Sequence, residues 1–322
     1  MKRWAIAIAA ASLALAAAAA GAQPAKVSIV VFNPPSLGAF LPPVIKAQKF
    51  DAQNGLDLTF VERTPDAYST QFNSGEFQVG GSAALLSIGI ARNRGVAATY
   101  LFNLFDFWGA VVTSSAEVQG VKDLAGKQLA AARGTTNFAM FDWFARRQGL
   151  DIGKVAVVNT ATPGLIGYAI AERADAVQLW EPAYTQLLVK KPSVRALDLD
   201  IKRQWRQFAG TDVIPYLGVA AHEEWIAKNR RLIEPLFRTY KSAADWVRKH
   251  PADAADVILP KGSAADRLAI RQLIEHNDRL GMNVVMAGAI RKEIESVFSA
   301  GESIKYLDKP PGAAAVYSGG GK

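Results

Sequence analysis

The sequence predicts an α/β protein made of two lobes and closed by an all-helical end. Three observations predict it. Short apolar runs alternate with helix-period segments through the first two-thirds of the chain; the alternation starts afresh near residue 120; from Glu223 onward only helical spacing remains.

The runs Lys26–Phe32, Leu56–Glu62, Phe77–Gly80, Thr99–Phe105, Gly109–Thr113, Gln128–Ala132, Lys154–Asn159 and Ala176–Leu179 read as strands. Several are apolar on both faces, as parallel strands covered by helices must be, so mostly parallel sheets are expected. Between them, Phe40–Asn54, Ala67–Ser74, Ala83–Arg94, Thr136–Gln148 and Gly164–Glu172 carry apolar residues at helical spacing. The end of the chain adds Glu223–Asn229, Arg231–Arg248, Pro251–Ile258, Ala264–Leu280 and Ala287–Ala300, with Pro251 suited to a helix start because its missing N–H is not needed there. A second strand–loop–helix series begins at Gly120–Gly126, so two like lobes face each other and bind a ligand between them. Strand patterns run between the blocks at Val112–Val118 and Asp212–Val219. The expected division is 23–115 plus 216–308 for lobe one, 116–215 for lobe two, and a Pro/Gly/Ala-rich disordered tail at 309–322.

The start of the chain reads as an export signal. Lys2 and Arg3 precede an Ala/Leu/Ile run from Trp4 to Ala20, and Ala20-Gly21-Ala22 is a small-residue cleavage site, so a secreted, unanchored mature protein cut after Ala22 is expected. The chain holds no cysteine, which excludes a lipid-anchored N-terminus, disulfides, a thiol nucleophile and thiolate metal sites. Without Lys2 and Arg3 the formal charge of +8 becomes +6, a balance that solubility explains, and no basic block interleaved with aromatics points to nucleic acid.

Several segments in order resemble the periplasmic solute-binding proteins of ABC importers, in the branch that takes up nitrate, taurine, alkanesulfonates and thiamine-pyrimidine precursors. Val121–Ala130 followed by Arg133–Thr136 resembles that family's "DLkGKkva…Gs" segment, Leu150–Val158 its "gld…V.vv" strand, and Asp175–Pro182 its "DA…weP" segment. Phe50–Leu58, Asn73–Glu76 and Trp246–Ala255 are similar to further pieces. The chain departs from the pattern at Gln78-Val79 and Arg173-Ala174. The resemblance implies a type II-like periplasmic-binding-protein fold, hinge closure around a small organic solute, and a permease with its ATPase as partners of a monomer that needs no metal or cofactor.

Ligands of open α/β lobes sit outside the carboxyl ends of the strands, where helix N-termini offer free N–H groups to an anionic oxygen. Three loops fit: one containing Asn33, Ser36 and Leu37, one with Ser82 and Ala83, and one formed by Gly134, Thr135, Thr136 and Asn137. The same residue types also serve as ordinary caps. A second group comprises Phe105, Trp108, Trp180 and Tyr216, aromatic residues at strand ends that suit the apolar part of a solute. Arg133 is a candidate for a carboxylate or sulfonate, whereas Asp106 and Glu181 suit an amine or a pyrimidine nitrogen. Catalysis is not expected: His222, His250 and His276 are far apart with no metal-ligand spacing, and no nucleophile elbow or phosphate loop is present. The rival readings are a pyrimidine-synthesising enzyme of the same fold, whose relatives depend on a cysteine cluster and an active-site histidine, and a periplasmic sensing subunit of a membrane receptor.

Overall fold

A computed structural model describes residues 23–319. The expected export signal and the last three residues of the expected tail lie outside them. The chain forms two separate sheets, each covered by helices. The first takes β1 (Ala25–Phe32), β2 (Leu56–Arg63), β3 (Val79–Ala84), β4 (Ala98–Asp106), β10 (Pro215–His222) and β11 (Met282–Met286), in the order β2-β1-β3-β10-β4-β11. The second takes β5 (Ala110–Thr113), β6 (Gln128–Ala131), β7 (Ala156–Asn159), β8 (Ala176–Leu179) and β9 (Arg195–Ala196), in the order β7-β6-β8-β5-β9.

The two orders are the same pattern. In each sheet three strands run parallel, β2-β1-β3 and β7-β6-β8. Next to the third lies an antiparallel strand that has just arrived from the other lobe, β10 in the first sheet and β5 in the second. Most strands of each sheet run in one direction, as expected, with antiparallel strands inserted beside the parallel set, and the first crossing lies at residues 107–109. Lobe one ends there and not at 115, because β5 hydrogen-bonds to β8 and β9 of the second sheet. Alternating hydrophobicity marks a strand but does not say which sheet it joins.

Two further expectations are corrected. Beyond Glu223 the chain is not all helical, since β11 closes the edge of the first sheet against β4. The stretch 309–319 is not disordered: Ala315 and Val316 are buried, Val316 bridges Tyr100, and the Tyr317 N–H donates to the Tyr100 carbonyl at 3.0 Å. The region 223–248 is two helices, as the sequence predicts: within Glu223–Lys249 the backbone leaves helical angles at Asn229, and the two helices meet there at a kink. No described helix is long and apolar enough to cross a membrane.

One helix, Thr136–Arg147, faces both lobes, and its sequence explains why. Phe138, Phe141 and Ala145 pack on the second sheet, while Ala139, Met140, Trp143 and Phe144 join the core of the first. Three- and four-residue spacing places these two sets on different faces. Burying a large apolar side chain of this kind contributes about 1.5–3 kcal/mol, so this helix is anchored in the cores of both lobes.

Candidate functional site

The site is framed by the two crossings. The outward one is Phe107-Trp108-Gly109; the return runs from the helix Ile201–Ala209 to β10. The Phe107 N–H ties them together by donating to the Ile214 carbonyl at 2.7 Å, and the return is held on itself by the Trp205 indole, which donates to the Val213 carbonyl at 2.9 Å. The Phe107 ring packs on Phe144 and Tyr216, each at 5.9 Å between centroids.

On the first lobe, the loop after β1 is held by two hydroxyls. Ser82 accepts from the Phe32 N–H at 2.8 Å, and Ser36 caps the short 3-10 turn Leu37–Ala39 by accepting from Gly38 at 3.0 Å. A side chain at Gly38 would place its Cβ 1.9 Å from the Ser82 Oγ, so the loop lies directly against β3. Asn33 and Ser36 are half-buried, whereas Leu37 packs into the core. Ser82 and Ala83 are not in a loop: β3 continues through Ala84, and both are fully buried in it. The small residues allow this, since a Cβ at Gly80 or Gly81 would strike the hydroxyl of Tyr68 or Tyr240 at 2.3 or 2.8 Å.

On the second lobe, Thr135 is the N-cap of the helix Thr136–Arg147. Its hydroxyl accepts from Phe138 at 3.2 Å and donates to the Ala132 carbonyl at 2.8 Å, while Gly134 is exposed. The next two residues differ. Thr136 and Asn137 are 1% and 2% exposed, yet the Thr136 Oγ1 and Asn137 Oδ1 have no hydrogen-bond partner in the protein. Gln178, also buried, donates its Nε2 to the Asn137 carbonyl at 2.8 Å, which fixes its amide and leaves its Oε1 an unpartnered acceptor. Asn137 in turn donates its Nδ2 to the Tyr216 hydroxyl of the first lobe at 2.6 Å. Unpartnered buried polar atoms are uncommon in native proteins and costly, at about 1–3 kcal/mol each. Three of them gather at one helix head, where the lobes meet.

A second cluster follows β8. Glu181 is 1% exposed; its Oε2 accepts from the Thr185 N–H at 3.1 Å, and its Oε1 faces the Arg279 Nε at 3.4 Å. Burial pushes the Glu181 carboxyl above the usual range, opposed by the Arg279 charge and the bonds from Thr185. The Arg279 guanidinium lies 5.9 Å from the ring of Trp108 and 5.3 Å from that of Tyr184, and these two rings are 5.2 Å apart. Trp108 is half-buried in the outward crossing, and Trp180 belongs to the second lobe's own core beside Tyr184.

The last residue of β4, Asp106, accepts from Asn103 and Asn283, both at 2.9 Å, and Asn103 also accepts from the Tyr100 hydroxyl at 2.8 Å. Burial pushes the Asp106 carboxyl up to about 7 in spite of these bonds.

The expected residues therefore divide. Thr136, Asn137, Tyr216, Trp108 and Glu181 stand where the lobes meet. Phe105 does not: it is fully buried against Phe40 in the first core, because β4 is covered on both faces. Arg133 points to solvent. His222 packs on Phe72 and bonds its carbonyl. Among the described residues no cluster of three or more His, Asp or Glu side chains is placed to hold a metal. Sequence reasoning missed Arg279 and Gln178. Arg279 lies in the short helix Asn277–Leu280, where no motif marks it, whereas Gln178 was visible as a polar residue inside the apolar strand β8. Two surface cavities lie elsewhere, one of about 290 Å³ beside Ser114 and Asp175 and one of about 490 Å³ beside Pro42 and Phe60.

Two lobes of repeated topology joined by paired crossings define a binding-protein architecture. A model of NMT1/THI5-like proteins matches residues 44–254, and the chain belongs to that family. No curated protein matches the sequence. Among solved structures, the chain is similar to the alkanesulfonate-binding protein SsuA of Xanthomonas axonopodis pv. citri bound to MOPS, with TM-score 0.75 and 16% identity over 92% of this chain and 99% of that one. It is also similar to the periplasmic aliphatic sulphonate binding protein SsuA of Escherichia coli, with TM-score 0.69 and 15% identity over 89% and 95%. A third similar structure is the Candida albicans CA3427 gene product, described as having the generic periplasmic binding protein fold, with TM-score 0.63 and 14% identity over 92% and 97%. At these identities the likeness establishes the fold: the chain has the α/β periplasmic-binding-protein fold.

Proposed function

We propose that the protein is the periplasmic solute-binding component of an ABC importer, capturing a small anionic organic solute, a sulfonate or carboxylate, between its lobes and presenting it to a permease and its ATPase. The observation that carries this reading is the head of the helix Thr136–Arg147. There, first-turn N–H groups, the unpartnered Thr136 hydroxyl and Asn137 meet Tyr216 of the opposite lobe. The half-buried Asn33 and Ser36 of the loop after β1 are the first-lobe contacts of this reading, and the half-buried Trp108 of the outward crossing offers an aromatic face. Closing the lobes removes these groups from water, so a solute that satisfies them favours the closed form by its differential affinity.

A second reading has its own observation. The Gln178 Oε1 is a fixed acceptor and Glu181 a buried acid, which suits the N–H groups of a nitrogen heterocycle. Both readings are of a binding protein without turnover. A thermal-shift screen with alkanesulfonates, taurine, nitrate, aromatic carboxylates and aminopyrimidines tests them. A ligand binding only the folded state at one hundred times its dissociation constant adds about 2.7 kcal/mol. A shift confined to sulfonates or carboxylates supports the first reading and one confined to aminopyrimidines the second; conversion of any compound to product overturns both.

A further inference from the structure

Arg279 belongs to the helix Asn277–Leu280, which leads into β11 at the edge of the first sheet. Every group that holds its guanidinium lies outside that lobe. Glu181 and Tyr184 are in the second, and Trp108 is in the crossing between them. Glu181 is the partner with most at stake. Its side chain is 1% exposed, and its Oε1 has no hydrogen bond, so the nearby Arg279 charge is what balances it on that side. Taking away one member of a buried pair leaves an uncompensated charge, which is far more costly than the pair itself is favourable. The surroundings add no substitute. Another ion pair that reaches toward the first lobe, Lys202–Asp278 at 3.7 Å, is exposed on both sides and screened by solvent. The direct polar contacts between lobes at Asn137–Tyr216 and Tyr306–Gly134 are between neutral groups.

We infer that Arg279 is an interlobe latch: by neutralising Glu181 and stacking over Trp108 and Tyr184, it stabilises the closed arrangement of the lobes and so sets how readily they part. The inference rests on the reading of the protein as one that opens and closes. It adds a residue whose role is the open–closed balance rather than contact with the solute. Opening the lobes lets water reach Glu181, so the open form tolerates the loss of Arg279 and the closed form does not.

The test is small-angle X-ray scattering at pH 8 on the solute-free protein, comparing wild type, Arg279→Gln, Glu181→Gln and the double variant, with circular dichroism showing that each is folded. The latch predicts a larger radius of gyration for Arg279→Gln and a return toward the wild-type value in the double variant, where no buried charge is left unpaired. A merely structural role for Arg279 lowers the melting temperature without this rescue of shape. An Arg279→Gln protein with the wild-type radius overturns the latch, as does a double variant as expanded as the single one. These scattering results stand apart from the solute screen: an expanded single variant with a restored double supports the latch even where no compound in the screen binds.

Discussion

Asn137 opens the second lobe's main helix and donates its side-chain amide to the hydroxyl of Tyr216, the second residue of β10 in the first lobe, at 2.6 Å. One hydrogen bond thus joins a helix head to the strand by which the chain returns. Hinge opening that parts these residues breaks it. The hydroxyl is then wanted only in the closed form, since water replaces Asn137 in the open one.

Tyr216→Phe removes that bond and keeps the ring against Phe107. The closed form loses about 1 kcal/mol, so the apparent affinity for solute falls about 5-fold, measured by calorimetric titration. The unfolding midpoint of the solute-free protein changes little by comparison.

Asp106 makes stability depend on pH. Its carboxyl titrates near 7 in the folded protein against a reference value of 3.8, so the folded state holds the proton more tightly than the unfolded one. The stabilisation from this proton is complete below the reference value and is lost as pH rises through the folded value, at up to about 1.4 kcal/mol per pH unit across that window. Asn103 accepts from Tyr100 and Tyr216 through its Oδ1, so its amide stays a donor to Asp106, and Asn283 is the amide free to turn and accept. Asp106→Asn therefore removes the decline. Urea unfolding at several pH values from 5 to 8 is expected to show wild type weakening relative to the variant as pH rises.

Trp205 is fully buried, bonds the Val213 carbonyl, and lies 5.4 Å from Trp143 and 5.5 Å from Phe208. Trp205→Ala leaves a cavity at the base of the return crossing. Its cost is about 3–5 kcal/mol, read as a lower urea midpoint.

Gly38→Ala drives a methyl group to within 1.9 Å of the Ser82 Oγ unless the loop after β1 moves. The expected cost is about 1–3 kcal/mol. Differential scanning calorimetry measures it.

Much of the fold was legible because its strands are short and apolar. Ala176–Leu179 and the helix Pro251–Ile258 lie where composition and spacing place them. The elements that were not legible share physical causes. β11 is a five-residue strand framed by helices, and β9 has two residues, so neither shows a period. The helices Ala183–Lys190 and Ile201–Ala209 fall in a stretch read only for its Glu181-Pro182 motif. The stretch after Lys309 has the composition of a disordered tail, yet Thr99 and Tyr100 bind it through backbone partners that composition does not reveal. For the site, strand ends and helix heads pointed to Thr136, Asn137 and Trp108. Arg279 had no local signal, because its partners Glu181 and Trp108 are distant in sequence and meet it only through the packing of the two lobes.

The most direct test of solute capture between the lobes is calorimetric titration of the compound giving the largest thermal shift into wild type and Thr136→Val, which keeps the shape of the side chain and removes its unpartnered hydroxyl. Capture at the head of the helix Thr136–Arg147 predicts one site per chain, affinity at least about 10-fold weaker in the variant, equivalent to about 1.4 kcal/mol, and unchanged compound recovered afterwards. Equal affinity in the two proteins, or a compound converted during the titration, contradicts it.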